Sequence, residues 1–433
     1  MSASLLRNLS LLLPLLAVAG AALARHHRGD LRPRVAGAVL ATLLAWTGVV
    51  LVEAATGWWS FAPGPTTVLG LPFETGLGWA LAWGALPALA GGRPVLWWLA
   101  LAWADLLLVP RMAPLVELGP HWLVGEGLLL VAVAAPALAL GHATVHRRRL
   151  GLRVALQGVV FTGLVGGVAP TLALAHDGLG WADVVDHPLP VRVALLVAAV
   201  LVGVPTLAAV AELWRVGGGT PFPWDPPERL VTTGPYAYLH NPMQVGAVLL
   251  LLLLAAAAAS PTLALGVVVA VVFSEAVAER HERMVLGARW PGHAAYRAAV
   301  RGWLPRRRPY AADPATLWVS QSCGLCRSTG DAVRLLAPRG VALRPAEEAP
   351  VTLTRMRFSI VGEPAGPVAG GGAGVEERGV AALGRALERV SLPWAWLGWL
   401  VRLPLVDRGV QAVADACGLG PRDLGPALRT VAP

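Results

Sequence analysis

The segment Gly217-Gly-Gly-Thr-Pro-Phe-Pro-Trp-Asp-Pro-Pro-Glu-Arg-Leu-Val-Thr-Thr-Gly-Pro-Tyr-Ala-Tyr-Leu-His-Asn-Pro-Met-Gln-Val-Gly246 lies between two apolar runs, Val191 to Leu213 and Val245 to Ala278. Its prolines and glycines forbid a continuous helix and impose a rigid, irregular path. His240-Asn241-Pro242 then turns straight into an apolar hairpin closed by Ser260-Pro261, and the hairpin is followed by Glu275, Glu279 and Glu282. A spacing of four and then three sets these carboxylates along one helix face.

Outside this segment the chain is mostly apolar. Of 433 residues 56% are hydrophobic and 14% charged, with a mean hydropathy of +0.61, which leaves too little polar surface to cover a soluble core. Lipid must cover the rest, and the expectation is a polytopic all-α membrane protein. A hydrocarbon core of about 30 Å needs roughly 20 apolar helical residues. Nine runs are candidates: Leu5 to Ala24, Val35 to Thr56, Gly76 to Ala90, Val95 to Val109, Trp122 to Gly141, Val154 to Ala175, Val191 to Leu213, Val245 to Ala259 and Thr262 to Ala278. Asp105 and Glu126 fall inside such runs, where they either mark an internal polar path or reach water or Arg111 near the span ends.

The net charge of +9 does not point to nucleic acid, because the arginines cluster in short segments between apolar runs. Arg25, Arg28, Arg32 and Arg34 follow the first run, Arg93 the third, Arg147, Arg148, Arg149 and Arg153 the fifth, and Arg215 and Arg229 the seventh. With nine spans these loops share one side, so the positive-inside rule puts the N-terminus outside and everything after the ninth span in the cytoplasm, at the plasma membrane. The same arginine flank argues for an uncleaved first span over a secretory signal, although Ala21-Ala22-Leu23-Ala24 imitates a cleavage site. Every Lys/Arg residue is Arg, which removes lysine Schiff-base chemistry from consideration.

The order of motifs from Trp214 to Pro305 resembles the membrane-embedded methyltransferases that include isoprenylcysteine carboxyl methyltransferase and the phospholipid methyltransferases. The matching pieces are Gly219-Thr-Pro-Phe-Pro-Trp-Asp-Pro-Pro227, Leu230-Val-Thr-Thr-Gly-Pro-Tyr236, Asn241-Pro-Met243, the hairpin, Glu282, Tyr296 and Gly302-Trp-Leu-Pro-Arg306. The resemblance implies S-adenosylmethionine as methyl donor and a lipophilic acceptor drawn from the bilayer, such as a prenylcysteine carboxylate or a phospholipid amine. Carried over by position, Tyr236, His240, Asn241, Pro242, Gly246 and Glu282 border the donor, and His240, Glu279 and Glu282 are the catalytic candidates. The chain departs from the family where His240 replaces an Arg, Gln244 replaces a Tyr, and Ala299 stands where the prenylcysteine enzymes carry an Arg, with Arg297 and Arg301 nearby.

Beyond a basic linker at 306–315 hydrophobicity drops, and a small α/β domain is expected over 316–433, after helices of unassigned role at 1–190 and a methyltransferase-like core at 191–305. Thr316-Leu-Trp-Val319 reads as a strand feeding Cys323-Gly-Leu-Cys326 at the start of a helix, the placement that makes a first thiol nucleophilic. With Leu392-Pro-Trp394 and Asp415-Ala-Cys417, this resembles the thioredoxin-like thiol-disulfide oxidoreductases named for an Asp-Cys-Cys signature. The family's Asp is Ser320 here. The resemblance implies a redox pair, Cys323 and Cys326, and a thiol partner. One Cys-x-x-Cys is half a zinc site, so no metal is expected. Two other functions stay open: a membrane-anchored thiol-disulfide oxidoreductase, and a non-catalytic scaffold with a degenerate methyltransferase fold.

The arginine asymmetry makes one outcome testable at once. Reporters fused after Arg34, Arg149 and Arg308 should read cytoplasmic, and those placed within Trp58 to Pro72 or Asp177 to Pro190 external. A cytoplasmic signal from the Asp177 region would break the nine-span count.

Overall fold

The computed structural model describes residues 2–222, 227–280, 290, 292–360 and 375–421. Among them, six helices are long and apolar enough to cross a membrane: α1 (Ala3–His27), α2 (Leu31–Thr56), α4 (Pro94–Arg111), α5 (Trp122–Val145), α6 (Leu150–His176) and α7 (Leu189–Arg215). The nine expected runs are all helical, but three fall short of that standard. The third is α3 (Phe73–Ala80), which continues through Leu81–Ala85 and Leu86–Ala90 and is diluted by Glu74, Trp79, Trp83 and several glycines. The last two are the shorter helices α8 (Pro242–Ala258) and α9 (Pro261–Phe273) of the hairpin.

The chain forms two compact units. The first comprises Met1–Pro188, Gly219–Pro226 and Leu254–Val268. Its core gathers Leu40, Leu44, Val49, Trp83, Leu130 and Val133, with α2 packed between α3 and α5. Small residues permit this approach: a Cβ on Gly84 would lie 2.4 Å from the Thr42 backbone nitrogen. The opposite faces stay apolar and outward, as with Leu12, Leu13 and Leu16 on α1. Asp105 is buried and accepts the Trp83 indole N–H at 2.9 Å, so its partner is a core tryptophan. The hairpin turn is pinned at Asp177, which takes the Ser260 and Thr262 hydroxyls at 2.5 Å each and the Thr262 N–H at 3.1 Å.

The second unit comprises Leu189–Gly218, Pro227–Leu253 and Val269–Pro433. It holds a four-stranded sheet with β1 (Ala315–Val319), β2 (Val341–Pro345), β3 (Arg357–Ile360) and β4 (Glu376–Arg378) in the order β2-β1-β3-β4. The β1 and β2 strands are parallel, joined through α11 (Gly324–Leu335), and the remaining pairs are antiparallel. Alternation drives β1: Ala315, Leu317 and Val319 face inward to meet Val333 and Phe358.

The same unit includes a short helix, α13 (Leu392–Val401), reading Leu-Pro-Trp-Ala-Trp-Leu-Gly-Trp-Leu-Val. Ten residues rise only about 15 Å, too little to span a bilayer. Instead α13 packs on α7, where Ala395 and Trp399 join Val204, Ala208 and Tyr238 in one apolar cluster. A buried ion cluster lies beside this contact. Arg385, on α12 (Val380–Leu387), donates to Glu212 of α7 at 2.7 Å, and Arg402 donates to the same carboxylate at 3.2 Å and to Glu377 at 2.9 Å. Glu388 completes it, pairing with both arginines. Removing one member of such a cluster strands a charge in a low-dielectric interior at a cost of about 3–5 kcal/mol. Arg402→Met should therefore lower the thermal midpoint of the detergent-solubilised protein sharply, whereas Arg378→Met, at an exposed pair, should leave it nearly unchanged. Equal midpoints for the two variants would count against the cluster.

Candidate active site

The irregular segment ends in a turn, Gly234–Ala237, followed by Tyr238 and Leu239, and its backbone is fixed by the chain that follows the hairpin. His240 N–H donates to the Arg301 carbonyl at 2.9 Å, Arg306 N–H to Tyr238 at 2.9 Å, and Tyr310 N–H to Ala237 at 2.8 Å. The linker is thus strapped along residues 237–240. The Tyr296 hydroxyl, from α10 (Gly292–Ala299), donates to the Tyr236 carbonyl at 2.8 Å.

These anchors assemble a buried polar cluster. His240 Nδ1 and Asn241 Oδ1 are 2.8 Å apart, the Asn241 amide donates to Glu279 Oε2 at 3.3 Å, and Arg297 forms an ion pair with Glu279. The His240 ring lies 5.4 Å from the Tyr296 ring and 5.9 Å from His293. His240, Asn241, Glu279, His293 and Tyr296 are each at most 6% exposed.

Charge in the cluster follows from burial and neighbours. Burial alone would raise the Glu279 pKa, but the Arg297 guanidinium and the Asn241 amide outweigh it and hold the carboxylate below its usual range. His240 is pushed down to about 4, first by burial and then by Arg297. His293 is lowered by burial and by the same arginine. At neutral pH the two imidazoles are uncharged, and His240 serves as a hydrogen-bonding element rather than a strong base.

Of the residues singled out in the sequence, the structure brings His240, Asn241 and Glu279 together. Gly246 lies elsewhere, one turn into α8, where a Cβ would fall 1.8 Å from the Thr206 hydroxyl of α7; glycine there allows close helix contact. Pro242 begins α8. Tyr236 contributes its backbone carbonyl to the cluster and a buried side chain to the packing against Ala209 and Leu213. Glu282 lies outside the described residues. Arg297 was missed as a site residue, because the family pattern directs attention to position 299; the arginine that meets the acid sits two residues earlier, on the face of α10 that also carries His293 and Tyr296.

An apolar cavity of about 340 Å³ adjoins this turn, between α7 and α8 and bounded also by Trp303, Trp396 and Trp399. Leu239 and Pro242 line it, whereas His240 and Asn241, between them in sequence, belong to the polar cluster.

Residues 193–289 match the family model of the phospholipid methyltransferases. The match spans α7, the irregular segment and the hairpin, which is less than a quarter of the chain, and agrees with the membrane methyltransferase resemblance of its motifs. No curated protein and no solved structure matches the chain significantly. The matched segment thus carries His240, Asn241 and Glu279, while Arg297 and Tyr296 reach the cluster from just beyond it.

Cys323 and Cys326 lie apart from this cluster, in a cavity of about 110 Å³ shared with Ser320, Arg355, Met356 and Gln411. Cys323 caps α11, its sulfur accepting the Cys326 N–H at 3.4 Å. The Ser320 hydroxyl donates to Glu347 at 2.9 Å, and the Gln321 and Ser322 N–H groups donate to the same oxygen. Burial would raise the Glu347 pKa, but these bonds hold it below its usual range. A carboxylate therefore stands behind Ser320, close to the Cys323–Cys326 stretch.

The depressed His240 pKa has a definite sign in stability. An unfolded histidine takes up its proton near 6.5 and the folded one near 4, so between these values the unfolded chain binds more protons and stability rises with pH. The thermal midpoint should drop as pH is lowered from about 7 to about 4, and His240→Gln should flatten that slope. A slope unchanged in the variant would detach the effect from His240.

Proposed function

We propose that the protein transfers a methyl group from S-adenosylmethionine to a lipophilic acceptor, a phospholipid amine or a prenylcysteine carboxylate. The observation that carries this reading is the alternation at one turn, where residues 239 and 242 face an apolar cavity and residues 240 and 241 a buried polar cluster. A charged, water-soluble donor and a hydrocarbon-bearing acceptor require two such opposed environments at one place.

The cluster fits the donor. Arg297 Nη1 and His293 Nε2 are buried without a hydrogen-bond partner among the described residues; the first suits a carboxylate, the second a polar edge of the adenosine. The Tyr296 ring offers an aromatic face for a sulfonium cation, and the uncharged His240 beside it adds no repulsion. Glu282 joins this proposal by its place in the motif. When bound, S-adenosylmethionine supplies an electrophilic methyl group. The chain's own contribution is to hold, orient and exclude water; removal of freedom can account for about 7–11 kcal/mol of a barrier.

We read the C-terminal sheet as a thioredoxin-like module carrying Cys323 and Cys326, with a thiol partner in the cytoplasm. The order β2-β1-β3-β4, the parallel pair joined through α11 and the capping position of Cys323 support it. The alternative of a redox protein with an inert membrane anchor is disfavoured by the buried cluster, which an anchor has no use for.

Equilibrium binding of S-adenosylmethionine to the detergent-solubilised full chain separates these readings. Binding is expected, and Asn241→Ala should weaken it by about 1.5–3 kcal/mol, the worth of a hydrogen bond tied to a charged group, with the fold kept by circular dichroism. Absence of binding by the unaltered protein would sink the methyltransferase reading.

A further inference from the structure

We propose that α13 is embedded in lipid hydrocarbon without crossing it, so that the C-terminal region enters the bilayer through a helix of its own. The ten residues of α13, Leu392–Val401, include no charged side chain. Ala395 and Trp399, four apart, form the face that meets Val204 and Ala208 of α7. Trp394 and Leu397, three apart, form another face that the protein leaves uncovered, at 38% and 42% exposed. The neighbouring surface of α7 shows what covers it. Val197, Val200, Leu201 and Leu207 all stand outward on a helix long and apolar enough to cross a membrane, and α13 adjoins that surface at Leu201.

One hydrogen bond sets the depth. Pro205 lies inside α7 and has no N–H to give the carbonyl four residues before it, that of Leu201. The Trp396 indole takes that place, donating to the Leu201 oxygen at 3.1 Å. Leu201 is a rise of about 18 Å from the start of α7 at Leu189 and about 21 Å from its end at Arg215. Wherever a hydrocarbon core of about 30 Å falls along this helix, Leu201 lies about 9 Å or more inside it. At that depth a carbonyl freed by a proline must be met by a neighbouring side chain, and an indole N–H has the matching need. The two groups answer each other, whereas at a wetted surface water would serve both. The region that carries Cys323 is thereby tied to the bilayer through α13 as well as to α7 through Glu212, whichever reaction the polar cluster supports.

The test uses the full chain in lipid nanodiscs, carrying Cys323→Ser, Cys326→Ser and Cys417→Ser, with one nitroxide-labelled position introduced at a time. Leu397→Cys reports on α13, Val197→Cys on the outward side of α7, and Leu335→Cys, at the 87% exposed end of α11, on water. Power saturation compares collisions with oxygen, which concentrates in hydrocarbon, and with a water-soluble nickel chelate. The labels at 397 and 197 should favour oxygen, and the label at 335 the nickel chelate. A label at 397 that meets nickel as freely as the one at 335 would overturn the insertion. A double-mutant cycle on the thermal midpoint in the same nanodiscs tests the hydrogen bond. Pro205→Ala returns a helical N–H to the Leu201 carbonyl, so Trp396→Phe should lower the midpoint by several degrees in the otherwise unaltered chain and by about half of that or less beside Pro205→Ala. Equal losses in the two backgrounds would overturn the role given to Trp396.

Discussion

The second unit depends on one carboxylate. Glu212 lies 2% exposed near the end of α7, and Arg385 and Arg402 both reach it from the C-terminal region. Taking an ion out of water costs several kcal/mol even after relaxation, and only a well-matched set of partners recovers that cost. Glu388 and Glu377 supply the matching charge for the two arginines. Such a cluster adds little net stability compared with an apolar replacement, but it tolerates no displacement of one partner. It therefore fixes where α12 and α13 stand against α7 more strictly than the surrounding alanines and leucines could.

That constraint reaches the site through short paths. Tyr238 belongs to the irregular segment, yet its hydroxyl bonds to the Glu388 carbonyl and its ring meets Trp399. Two residues later, His240 enters the polar cluster with Asn241, Glu279 and Arg297. The tryptophans of α13 and the groups of the polar cluster are thus set by the same few contacts. Within this unit the C-terminal chain closes one wall of the cavity beside the turn at residues 239–242.

Much of this was legible in the sequence, for reasons that also explain the gaps. The six long helices appear as apolar runs because lipid imposes length and composition together. His240, Asn241 and Glu279 could be read as neighbours because local order along the chain brings them around one hairpin. The strand at Ala315–Val319 and the cysteine-capped helix were visible through alternation and motif. Contacts set by distant pairing were not. Glu212 is 173 residues from Arg385 and 190 from Arg402, and nothing at either end announces the other. Helix α13 escaped because ten apolar residues in an otherwise polar stretch resemble an ordinary core helix. Arg297 escaped because a family pattern names a position, whereas the helix face is what delivers the charge.

The spacing of the ion cluster also has a consequence in time. During synthesis α7 leaves the ribosome well before its partners exist, and at roughly 5–20 residues per second the lag to Arg385 and Arg402 is on the order of ten to forty seconds. Through that interval Glu212 has only water and the nearby Thr233 hydroxyl to satisfy it. The helix must be received by the membrane with an acid near its end and no counter-ion. The nascent chain is therefore committed to an unfinished intermediate whose completion waits on the last fifth of the polypeptide, and a ribosome that stalls in that final stretch leaves a membrane-inserted product with an exposed acid and an open cavity.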